Sequence, residues 1–210
     1  MKGIIFDLDG TLIDSTGIWH DIDVEFLARH GRKPTPEYFR FVGNNPLRVC
    51  ADFTIEYYSL TETADEVIAQ WLHMSDDKYR HEIQLKPFVR EFLAQCRDNG
   101  IRMSIATSCT AVHCHDVLER TGICEYFDCI SLVEEIGKTK EFPDVYLHAA
   151  AGMGLSSREC TVFEDAQNII DVVRDAGFKL VGVYDKHTHQ DELRLRCDRF
   201  IASFEELIKK

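Results

Sequence analysis

Two carboxylates two positions apart, Asp7 and Asp9, close the apolar run Gly3-Ile4-Ile5-Phe6 and are followed by Gly10 and Thr11. A pair placed this way can divide two tasks. One acid binds a metal ion and attacks an electrophile, while the other gives and takes a proton. In an extended strand the two would share a face, and open α/β sheets hold ligands beyond the carboxyl ends of their strands. Gly10 breaks the strand and lets backbone approach a ligand closely. A strand-end turn that caps the next helix explains Asp-x-Asp alone, but not the apolar run before it with Gly-Thr after it.

A second group of metal-ligand types, Cys109, His113, Cys114 and His115, invites a zinc reading. It lacks the paired Cys-x-x-Cys of structural zinc sites and reads as a helix start after a strand. The eight cysteines (Cys50, Cys96, Cys109, Cys114, Cys124, Cys129, Cys160 and Cys197) read as reduced thiols.

The elements that must position Asp7 and Asp9 alternate between short apolar runs and helical patterns, which points to an α/β fold with a mainly parallel sheet. Strands are expected at Gly3–Leu8, Arg102–Ala106, Asp128–Leu132, Cys160–Phe163, Lys179–Val183 and Asp198–Ile201. Helices are expected around Val89–Asn99, Ala111–Thr121, Pro143–Ala151, Asn168–Ala176 and Gln190–Arg196. Gly100, Gly122, Gly152 and Gly177 fall just past four of these helices, as C-terminal stops. From Ser15 to Ile83 no strand is evident. Ile18, Ile22 and Phe26 recur at helical spacing, as do Val67, Trp71 and Met74. The expected organisation is a Rossmann-like three-layer core of residues 1–14 and 84–210, interrupted by an all-helical cap of residues 15–83.

The 210 residues suffice for a core plus a small inserted domain, and the 45% hydrophobic and 29% charged content is ordinary for a globular chain. A formal net charge of -12 argues against non-specific binding to nucleic acid or an anionic membrane. No stretch approaches the length of a transmembrane helix, and the apolar run at the N-terminus is too short for a signal peptide. A cytoplasmic protein is therefore expected, and a monomer or weak dimer is taken as its state.

Asp7-x-Asp9-Gly10-Thr11 after an apolar strand resembles the first motif of the haloacid dehalogenase superfamily. The family's other motifs follow in order. Met103-Ser104-Ile105-Ala106-Thr107-Ser108 is similar to the second, giving Thr107, with Ser108, to a phosphate oxygen near a helix N-terminus. Lys140-Glu141-Phe142-Pro143-Asp144 matches the third and selects Lys140, with Lys138 as the fallback. Thr161-Val162-Phe163-Glu164-Asp165 is similar to the fourth. Ala166 and Ile169 stand where many relatives carry Ser and Gly, and Glu141-Phe142 where they often have Pro and a small residue. Neither departure touches a proposed charge. The resemblance implies a Mg²⁺ site on Asp7, Asp165 and the Asp9 carbonyl, with Glu164 direct or through water.

By the same resemblance, Asp7 attacks phosphorus and becomes a phosphoryl-aspartate. Asp9 protonates the leaving oxygen and then deprotonates the hydrolytic water. Lys140 and the metal supply the positive focus that an acidic chain lacks. Carbon–halogen cleavage needs no acid at the Asp9 position, and phosphonate cleavage needs an activated cap lysine, where the cap offers only Lys33 and Lys78. A hydrolase of small phosphomonoesters is the expectation. The runner-up is a phosphomutase of the β-phosphoglucomutase type, with Arg40, Arg48 and Arg80 available for a second phosphate. An inactive or metal-binding regulatory module is the alternative of another class.

The cap type points to a small phosphorylated metabolite, a sugar phosphate by choice. His20, Asn44, Asn45 and Arg48 are the candidate substrate residues, while Trp19 reads as core packing. His187 and His189 read as solvated loop residues.

Overall fold

The computed structural model describes residues 2–43 and 45–208, so the candidate Asn44 lies outside the described residues. Six strands form one sheet: β1 (Gly3–Phe6), β2 (Arg102–Thr107), β3 (Cys129–Leu132), β4 (Cys160–Glu164), β5 (Lys179–Val183) and β6 (Arg199–Ile201). Their order is β3-β2-β1-β4-β5-β6 and every neighbouring pair is parallel. A strand buried on both faces must be apolar at every position. Ile4 and Phe6 accordingly enter one core cluster with Ile105, Phe92 and Phe163, while Ile5 enters another with Val162, Tyr146 and Leu180.

Between β1 and β2 the chain is helical: α1 (Thr16–Arg29), α2 (Pro36–Val42), α3 (Leu47–Tyr58), α4 (Ala64–Asp77) and a wider π turn at Lys78–Glu82. Thr35 accepts the N–H of Tyr38 at the start of α2, which carries Pro36 in its first turn. Thr63 and Glu66 form a capping box on α4. Ile22, Phe26, Tyr38, Val67 and Trp71 pack into a third cluster made only of residues from this stretch. Tyr79 and Ile83 belong instead to the sheet's core, and Ile18 and Trp19 touch both.

Six further helices follow the insert, with α7 and α8 both between β3 and β4: α5 (Val89–Asp98), α6 (Ala111–Arg120), α7 (Val133–Ile136), α8 (Asp144–Gly152), α9 (Ile170–Asp175) and α10 (Asp191–Arg196). The four-residue α7 carries no periodicity that would announce it. Gly152 is not a stop, as expected from its position, but the last residue of α8. An added Cβ there would lie 2.5 Å from Cys129 Sγ, so its small size lets helix meet strand. The left-handed residue after α8 is Gly154, with φ 68°.

The two crossings between sheet and helical insert run side by side. Ile13 bridges Leu85, Asp14 N–H donates to Gln84 O at 3.0 Å, and Lys86 N–H donates to Leu12 O at 2.9 Å. From β1 the chain first adds strands on one side and then, from β4 onward, on the other. The strand order therefore reverses between β1 and β4, and the space beyond the carboxyl ends at such a reversal is where open α/β sheets bind ligands. No helix among the described residues is long and apolar enough to cross a membrane.

Candidate active site

Asp7 and Glu164 reach that switch point together. Phe6 pairs with Phe163 in register, so the next residue on each strand stands beside the other. The Asp7 N–H continues the ladder by donating to Phe163 O at 2.9 Å. β1 ends there, two residues earlier than the apolar run suggests. The N–H groups of Leu12 and Ile13 turn back onto Leu8 O, so Asp9 leaves in a turn rather than along an extended strand.

Lys140, in the loop before α8, donates to Asp7 Oδ1 and, at 2.6 Å, to Glu164 Oε1. The Tyr146 hydroxyl donates to the same Glu164 oxygen at 2.9 Å, and Ala166 N–H to Oε2 at 3.4 Å. Lys138, two residues upstream, instead pairs with Asp144 at 2.6 Å on the surface.

Asp7, Glu164 and Asp165 are all buried, and one oxygen from each lies within 4.8 Å of the others. Burial, and then the charges of Glu164 and Asp165, raise the Asp7 pKa well above its ordinary value, against the pull of Lys140. Burial and Glu164 push Asp165 up to about 7. Burial disfavours the Lys140 charge, but Asp7 and Glu164 outweigh it and hold its pKa well above the usual lysine value. Three acids around one ammonium leave an excess of negative charge, and their oxygens are the donor type a hard divalent cation takes. Gly10 is needed for this approach. With φ 79°, it would place a Cβ 2.5 Å from Asp165 Oδ2.

Asp9 is held from the other side. Ser15 donates to its Oδ1 at 2.7 Å, and Tyr79, from the π turn, donates to the same oxygen. Trp19 Nε1–H in turn donates to the Tyr79 hydroxyl at 3.1 Å, so its indole does more than pack. Thr107 ends β2 buried, its hydroxyl accepting the Cys109 N–H at 2.9 Å, while Ser108 is exposed.

The described cap candidates are engaged elsewhere. His20 stacks on Phe39 with ring centres 4.0 Å apart. Asn45 donates to Phe41 O at 2.7 Å, closing the end of α2. Arg48 pairs with Asp65 at 2.5 Å and with Asp52 at 3.5 Å. In the Cys/His group, His113 Nε2 bonds Asp76 Oδ1 at 2.9 Å and its ring stacks on Tyr79. Burial pushes the Cys114 thiol up to about 12, which disfavours the thiolate a metal needs.

Sequence reasoning missed Ser15, Tyr79, Tyr146 and a set around Asp165. Thr188 donates to Asp165 Oδ2 at 2.8 Å, and the Gln190 amide donates to Asp165 O at 2.7 Å. Ser15 lies six positions after Asp9, and the others are lone polar residues 18 to 70 positions from their partners, with no motif spacing to flag them.

A model of the family described as haloacid dehalogenase-like hydrolase matches residues 4–183. Hexitol phosphatase B of Escherichia coli (strain K12) is 25% identical over 220 residues, covering 98% of this chain and 94% of that protein. The structure of CbbY from Rhodobacter sphaeroides in complex with phosphate aligns at TM-score 0.84 and 21% identity, over 99% of this chain and 96% of that one. A β-phosphoglucomutase from Clostridium difficile aligns at TM-score 0.82 and 19% identity, over 99% and 93% of the two chains.

Proposed function

The chain belongs to the haloacid dehalogenase-like hydrolases, and from that premise we propose that it is a Mg²⁺-dependent phosphatase of a small phosphomonoester, a sugar phosphate by preference. One observation carries the reading. Asp7 sits buried at the switch point with Oδ1 held by Lys140 and with oxygens of Glu164 and Asp165 within 4.8 Å. Such a carboxylate is oriented for bonding to phosphorus beside a set of metal-type ligands.

Asp7, Asp165 and the Asp9 carbonyl, with Glu164 beside them, are the residues that would hold the metal. When bound, Mg²⁺ offsets the repulsion between the Asp7 carboxylate and an incoming phosphoryl dianion. Asp7 attacks phosphorus and the ester oxygen leaves, giving a phosphoryl-aspartate. Asp9, steadied by Ser15 and Tyr79, protonates that leaving oxygen and later takes a proton from the water that hydrolyses the acyl phosphate. Lys140 keeps Asp7 oriented and adds positive charge where the phosphoryl oxygens gather. Residues 15–83 serve as the cap that covers this chemistry and selects the substrate.

A phosphomutase must hold a second phosphate on a cap cation. Arg48 is tied to Asp65 and Asp52, and Arg80 to Asp116 at 3.0 Å, all pairs on the exposed surface. Two of the three candidate arginines are thus engaged with carboxylates, which supports hydrolysis over phosphoryl return. The test is phosphate release from a panel of phosphomonoesters with and without Mg²⁺, beside Asp7→Asn. Metal-dependent release that the substitution abolishes supports the reading. No release from folded wild-type protein, with turnover of a hexose 1-phosphate in the presence of its bisphosphate, would replace it with the mutase.

A further inference from the structure

The loop after β5 ties the two cap crossings to the acidic cluster, and Asp185 is its centre. This side chain is 3% exposed. Its Oδ2 accepts Lys86 Nζ at 2.9 Å, from the second crossing. Its Oδ1 accepts the hydroxyl of Thr16 at 2.8 Å, from the first turn of α1, where the first crossing enters the cap. The same oxygen accepts His187 N–H at 2.8 Å, which folds the loop back on itself. Asp185 N–H donates to Gln190 Oε1 at 3.0 Å. That bond fixes which way the Gln190 amide faces, and its NH₂ is directed at Asp165 O. Thr188, between them, stands 3.2 Å from Asp185 Oδ1 and donates to Asp165 Oδ2 at 2.8 Å.

We propose that Asp185 and Thr188 are positioning residues for Asp165, with Asp185 fixing both cap crossings to the loop from which Thr188 orients the carboxylate. The inference rests on the reading of Asp165 as a metal ligand and assigns the residues that hold it. The chemistry is directional. A carboxylate has two oxygens, and a hydroxyl that occupies one face of Oδ2 sets which lone pairs remain for a cation. Burial penalises the Asp185 charge, but Lys86 and the donors around it hold its pKa below the ordinary value, so it stays a charged acceptor. Partners of this kind, one step removed from a metal, alter metal affinity by about 10–100-fold when removed.

The test measures Mg²⁺ affinity by calorimetry on the full chain, with phosphatase kinetics alongside. Thr188→Val removes the donor at similar size and should weaken Mg²⁺ binding about 10–100-fold, with most of the activity returning at saturating Mg²⁺. Thr188→Ser keeps the hydroxyl and should bind within about threefold of wild type. Asp185→Asn keeps an acceptor for Thr16 and the loop but loses the charge on Lys86, and should also weaken binding. If the two act through one loop, the double variant is no worse than the weaker single one. A folded Thr188→Val protein with wild-type affinity overturns the proposal, and so does Thr188→Ser as weak as Thr188→Val. Wild type that binds no Mg²⁺ at all sinks the functional reading and this inference with it. Asp165→Asn, which should abolish binding, marks that baseline.

Discussion

The hydroxyl of Tyr79 donates to Asp9 Oδ1, joining the turn that closes the helical insert to the proposed general acid and base. The ring is buried, stacked on His113, with its oxygen also accepting the Trp19 N–H. Asp9 is thus oriented by one group from each crossing, Ser15 where the insert begins and Tyr79 near its end.

Tyr79→Phe removes one of the two donors and keeps the ring. A hydrogen bond to a charged group contributes about 1.5–3 kcal/mol, so kcat should fall about 10–100-fold, with KM little changed. Steady-state phosphate release measures both. An unchanged kcat would show that Ser15 alone orients Asp9.

How far the sequence foretold this arrangement depends on where each signal lies. β5 was legible to the residue, because the apolar Leu180–Val183 stands between Lys179 and a polar loop. Asp7 and the Glu164-Asp165 pair were legible because they stand at strand ends, and Lys140 because of its spacing to Pro143-Asp144. Tyr79 and Ser15 were not. The first lies 70 positions from Asp9 and reads as one more aromatic of a helical stretch. Asp185 and Thr188 were hidden in the same way by a loop of histidines. Asp9 itself was read on an extended strand, and the early turn onto Leu8 was invisible because it depends on backbone bonds and not on side-chain type.

Lys140→Met should abolish turnover and also destabilise the fold. The lysine side chain is 14% exposed, and its partners Asp7 and Glu164 are 7% and 1% exposed. Removing one member of a buried pair leaves an uncompensated charge at a cost of about 3–5 kcal/mol. Urea denaturation in metal-free buffer should show that loss. Mg²⁺ should restore part of it, since a cation can take over the neutralisation.

Gly10→Ala tests the close approach of the first turn to Asp165. The left-handed backbone costs an L-residue about 1–2 kcal/mol, and the added methyl would press on a carboxylate that cannot retreat. The melting temperature should fall, and Mg²⁺ affinity should fall more steeply than stability does. A variant that loses stability but binds Mg²⁺ as wild type would mean that Asp165 can move aside.

The helical insert carries its own pH dependence. Burial pushes Asp23 up to about 7, against the opposing hydrogen bond donated by Tyr38 at 2.9 Å. In the unfolded chain the same group titrates near about 3.9. Between these values the folded state holds a proton that the unfolded state has released, so stability falls as pH rises. The contribution is fully present below about pH 4, declines through about pH 7, and is lost above it. Asp23→Asn keeps an oxygen for Tyr38 and cannot ionise. Without metal, wild type should therefore lose melting temperature between pH 5 and pH 8 relative to the variant, by about 2–4 °C for each kcal/mol of penalty. Scanning calorimetry of both proteins at the two pH values checks it. Parallel curves would mean that Asp23 is solvated enough to ionise freely in the folded protein.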